Sequence, residues 1–103
     1  MMVKFKLNDG AAIHLREQLE VFLGELPTDY INLLEQATIG KLLKRKMAMF
    51  YYPKRENTLS LEYAEAAVLY RVLSCSSIDL NMNRSIIDMI GRKLPDSMLL
   101  SAQ

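Results

Sequence analysis

The chain has 103 residues, half of them apolar and 24% charged, with a formal net charge of +1. That composition is globular, and the length suits one domain over 1–103 that needs no covalent staples. A near-zero net charge supplies no global field for nucleic acid or an anionic membrane, and one cysteine, Cys75, excludes an internal disulfide or a thiolate metal cage.

No apolar stretch approaches the ~20 residues that cross a bilayer, so no membrane contact is expected. The opening "MMVKFKLNDG" carries lysines but no apolar run of the kind a signal peptide needs. A reduced, cytoplasmic setting is the expectation, with Cys75 buried and inert in the apolar run "AAVLYRVLSC".

"VKFKLN" alternates strictly, with Val3, Phe5 and Leu7 on one face, and predicts a strand over 3–8. Asp9 offers an N-cap, and 11–26 reads as a helix whose apolar stripe is Ala12, Leu15, Leu19, Phe22 and Leu26. Pro27 stops it, and Thr28 can cap a second helix over about 30–46. The core side of that helix is read as drifting from Ile31, Leu34 and Ala37 to Ile39, Leu42 and Leu43.

"MAMFYYPKREN" has two readings. In one the second helix continues to Tyr51. The preferred one makes 47–52 a strand, "PKREN" a turn and 57–61 a further strand, because aromatics favour a pleated surface. A third helix over about 62–74 is apolar nearly all round, which places it centrally or in an oligomer interface. "SCSSIDLNMN" reads as a loop, 84–94 as a fourth helix ended by Pro95, and 95–103 as a tail.

"FKLNDGAAIHLREQL" and "LSLEYAEAAVLYRVL" echo each other at a spacing of 54, matching Phe5/Leu59, Leu7/Leu61, Ala12/Ala66, Leu15/Leu69 and Leu19/Leu73. "IGKLL" at 39–43 likewise echoes "IGRKL" at 90–94. Identities are few, and any strand-to-helix junction gives a related pattern. The expected fold is therefore a mainly helical α+β domain with four helices and a small antiparallel sheet of 3–8, 47–52 and 57–61. The echo points to two strand-helix-helix halves.

Charge is unevenly spread. Residues 36–60 hold six basic groups and one acidic, against three and six in 1–35. Lys41, Lys44, Arg45 and Lys46 fall in the last turns of the second helix, where cations complement the helix dipole by about 0.3–1 kcal/mol each. A solvated helix end accounts for them. The functional alternative adds Lys54 and Arg55 as a basic wing able to neutralise phosphates, with Tyr51 or Tyr52 for stacking. Helices one and two are joined by a short turn but are too long for a helix-turn-helix, and helices three and four stand about ten residues apart.

"DLNMN" (Asp79, Asn81, Asn83) imitates the start of a calcium loop. The match then fails, because Arg84 stands where glycine is required and Ile90 where the bidentate glutamate should be. His14, the lone histidine, is read as structural, and Glu62 and Glu65 as first-turn carboxylates suited to the helix dipole. The four glycines are scattered and form no phosphate loop. No catalytic residue, metal or cofactor is expected.

Seven methionines and an all-round apolar third helix give more apolar surface than one small core hides. The expected function is a non-enzymatic protein-interaction or structural module, homodimeric or bound to another protein, with Tyr63, Tyr70, Met47 and Met49 at the interface. The alternative is a nucleic-acid-associated accessory protein that uses Lys41, Lys44, Arg45, Lys46, Lys54 and Arg55.

Overall fold

The computed structural model describes residues 2–75 and 80–94, and the side chains of all of these except 80–83. The element order is β1 (Met2–Asn8), α1 (Asp9–Gly24), α2 (Tyr30–Arg45), α3 (Met47–Tyr51), β2 (Glu56–Glu62), α4 (Tyr63–Ser74) and α5 (Leu80–Gly91). The α+β class is as the sequence predicts. Two details differ among the described residues: five helices replace four, and the sheet has two strands, not three.

The difference lies at 47–52, where 47–51 is helix and not strand and Tyr52 is its C-cap. Lys46 leaves helical geometry at φ −107° and ψ 28°, ending α2, but the chain turns straight back into a helix. The Phe50 N–H donates to the Lys46 carbonyl at 3.0 Å and the Tyr52 N–H to the Ala48 carbonyl at 3.0 Å. Met and Ala are strong helix formers, and burial decides the matter. A strand would place Ala48, Phe50 and Tyr52 on one face, whereas Phe50 is fully buried and Tyr52 is 83% exposed.

With 47–51 helical, β2 takes β1 as its partner, antiparallel, with Phe5 opposite Leu59. Alternation turns Val3, Phe5, Leu7, Leu59 and Leu61 onto one buried face. Asn57 also points inward. Its amide donates to the carbonyls of Leu7 (3.2 Å) and Lys54 (2.8 Å) and accepts from the Lys54 N–H at 2.9 Å, which closes the turn against β1.

Helix boundaries follow side-chain capping. Asn8, not Asp9, caps α1 by accepting from the Ala11 N–H at 2.7 Å, and Asp29, not Thr28, caps α2 through the Asn32 N–H at 2.7 Å. The Gln36 amide donates to the carbonyls of Phe22 (3.1 Å) and Glu25 (2.7 Å), which satisfies the end of α1 and sets the turn into α2. α5 begins at Leu80, earlier than the expected Arg84. Asp79, the side chains of Asn81 and Asn83, and the tail 95–103 lie outside the described residues.

The spacing of 54 has a structural counterpart. It carries β1 onto β2 residue for residue, and the first residue of α1 onto the first of α4. In the antiparallel register Phe5 pairs with Leu59, its own counterpart, so a local two-fold axis passes between them. Leu15 and Leu69, Ala12 and Ala66, and Leu19 and Leu73 are buried mates, and Ile39 and Ile90 match at a spacing of 51. Helix contacts obey the same relation: α1 packs on α2 and touches α5, while α4 packs on α5 and α2. The molecule is thus strand-helix-helix twice over, with α3 inserted, around one continuous core.

Candidate interaction surface

α2 is amphipathic in an unexpected sense. Glu35, Ile39, Leu42 and Leu43 face the core. Tyr30, Leu34, Ala37, Lys41 and Lys44 recur at helical spacing on the opposite side and are exposed, as are Ile31 and Leu33. The sequence reading that put Ile31, Leu34 and Ala37 in the core is therefore corrected. An apolar stripe on each side satisfies the same periodicity, and the buried one contains a charge.

That charge is Glu35, whose side chain is 9% exposed and lies 3.4 Å from Arg71 Nε on α4. Pairing across the helix interface makes a buried carboxylate tolerable, so the stripe through Glu35 faces inward. The outer stripe then holds four large apolar residues within 30–34: Tyr30 (72% exposed), Ile31, Leu33 and Leu34. Toward the C-terminal end of α2, Ala37, Gly40, Lys41 and Lys44 border a shallow groove completed by Met47 and Tyr51 of α3.

α3 is fastened to α1. The Arg16 guanidinium lies 5.0 Å over the Tyr51 ring and donates to the Phe50 carbonyl at 3.5 Å, while Tyr51 Oη donates to Glu20 at 3.3 Å. Arg16 Nε is 3.1 Å from the same carboxylate.

The six cations divide among different settings. Lys41 and Lys44 border the groove. Arg45 turns to α4, placing Nη1 2.9 Å and Nη2 3.0 Å from the Glu65 carboxylate, with Ser60 O at 3.4 Å. Lys46 is half-buried at the joint between α2 and α3. Lys54 and Arg55 stand exposed in the connection before β2 and do not border the groove.

Glu65 also accepts the Glu62 N–H at 3.0 Å at the start of α4. Burial pushes its carboxyl up. The Arg45 hydrogen bond, the Glu62 N–H and the charges of Arg45 and Lys46 outweigh that and hold it below its ordinary value.

Of the four residues expected at an interface, Tyr63, Tyr70 and Met49 are partly buried and packed on the core, and Met47 is half exposed. α4 is central, touching both strands, α2 and α5. The Tyr30–Leu34 cluster was legible as spacing but not as exposure, because sequence does not say which of two apolar stripes meets the core.

Elsewhere, a cleft of about 260 Å³ lies between α1, α2 and α4, bordered by Phe22, Asn32, Glu35 and Arg71, with Cys75 at its edge. Cys75 is exposed just past α4, not buried as expected. His14 is buried on α1. Among the described residues no cluster of His, Cys, Asp or Glu is placed to hold a metal ion, and no helix is long and apolar enough to cross a membrane.

Fold and surface together define a class: a mainly helical α+β domain of two like halves that presents an apolar and cationic helix face. No protein-family model matches the chain, and no curated protein or solved structure is significantly similar to it.

Proposed function

We propose that the protein is a non-enzymatic interaction module that works as a homodimer, docking through the outer face of α2. One observation carries the reading. Single exposed apolar side chains are ordinary on a monomer, but contiguous ones mark a contact surface. Tyr30, Ile31, Leu33 and Leu34 are all exposed within the first five residues of α2, and Met47 and Tyr51 are exposed beside Ala37, Lys41 and Lys44 further along the same helix.

The nucleic-acid alternative keeps less support. Arg45 is occupied by Glu65, and one face of the Tyr51 ring lies under Arg16, which removes a phosphate contact and a stacking platform.

The test is light scattering at micromolar concentration. The expected result is twice the chain mass for the unaltered protein and the single-chain mass for Leu34→Glu, a substitution at a half-exposed side chain that leaves the core intact. A monomeric unaltered protein overturns the proposal.

A further inference from the structure

We propose that two copies of α2 pack antiparallel about Ala37, with Leu33 of each copy entering the notch over Gly40 of the other. This deepens the homodimer reading and rests on it.

The notch is argued from the internal repeat. Gly40 and Gly91 are counterparts in "IGKLL" and "IGRKL". A Cβ placed on Gly91 would lie 3.3 Å from Tyr70 Cε2, so that glycine is covered by a large side chain of the same molecule. A Cβ on Gly40 would meet nothing within 4 Å. The two halves thus use the same glycine differently: in one its surface is filled from within, and in the other it stands open on the exposed face of α2. An apolar side chain from outside fits there as Tyr70 fits over Gly91.

Charge selects the occupant and its direction. Exposed acids Glu25 and Asp29 stand at or just before the start of α2, and Lys41 and Lys44 near its end. A parallel pair would set lysine on lysine. An antiparallel pair centred on Ala37 sets position 44 across from 30 and position 41 across from 33. Lys44 then lies beside Tyr30 and Asp29 of the second copy, and the aliphatic stem of Lys41 covers its Leu33. The face is therefore complementary to itself under a two-fold operation, as a closed dimer requires. Ala37, small and exposed at the centre, lets the two helices approach closely.

The experiment uses the full chain carrying Cys75→Ser, which removes the exposed native thiol, with Ala37→Cys added. A short thiol-to-thiol crosslinker should join most Ala37→Cys chains into dimers and leave a Glu17→Cys control, exposed on α1, largely unjoined. A second variant, Gly40→Glu, should keep the helical circular dichroism and melt no lower, since glutamate is the better helix former. It should weaken self-association about tenfold or more.

If the protein dimerises by light scattering but Ala37→Cys joins no faster than the control, the antiparallel geometry is wrong while the homodimer reading stands. If Gly40→Glu associates as tightly as the unaltered chain, the notch is wrong. If the unaltered protein is a monomer, both proposals fall together.

Discussion

At the scale of single residues, Glu65 does the most for its size. It accepts the N–H of Glu62, the N-cap of α4 and last residue of β2, and holds Arg45 across the interface with α2, so one carboxylate joins two helices and a strand end. Arg45 is about half exposed, which discounts the ion pair, and the capping bond is worth about 1 kcal/mol. Glu65→Gln keeps an amide oxygen for the Glu62 N–H and loses only the charge, so it should lower stability by up to about 1 kcal/mol at neutral pH, read from urea unfolding. The pH dependence has a definite sign. A carboxyl held below its ordinary value of 4.5 stabilises the folded chain above that value, and this is lost as pH falls through the lower folded value. The gap between the unaltered protein and Glu65→Gln should close in acid, and a gap that persists unchanged there would remove the charge from the account. Little of this was legible beforehand. The sequence placed Glu65 in a first turn and Arg45 at a helix end, but nothing in a linear chain says that two such residues, 20 apart, will meet.

At the scale of elements, the strand expected over 47–52 failed for a traceable reason. Aromatic side chains suit a pleated surface, yet the neighbouring β1 already provides the partner β2 needs, so a third strand is not required to complete a face. α3 instead lays Phe50 into the core, where it touches no solvent, and leaves Tyr52 outside. Phe50→Ala should then cost about 3–5 kcal/mol in denaturant unfolding, and Tyr52→Ala less than about 0.5 kcal/mol. Comparable losses at both would restore the strand, because alternation would bury the two together. The other elements were read to within a few residues where one stripe or one alternation dominated, as in β1 and α1. α2 carries two stripes, and there the pattern gave the helix but not its orientation.

At the scale of the whole molecule, the two halves share core positions more faithfully than they share residues. Leu15 and Leu69 are both fully buried at matching places relative to the two-fold between Phe5 and Leu59. Leu15→Ala and Leu69→Ala should each cost about 2–5 kcal/mol by denaturant titration, and a small loss at one of them would show the halves to be alike in outline only. The echo at a spacing of 54 was visible in the sequence because strand alternation and helix periodicity fix which side chains point inward. The pairing of β1 with β2 was not visible, since alternation names a face and never a partner.

That pairing has a consequence for how the chain comes into being. Strand partners 54 residues apart at the Phe5–Leu59 pair cannot meet until both have left the ribosome, an interval of ~3–11 s at ordinary rates of synthesis. The first two helices can wind locally within that time, but the edge of β1 waits with its amides unpaired. The fold is consequently completed late, and a translation product halted short of Leu59 carries a strand with no mate of its own.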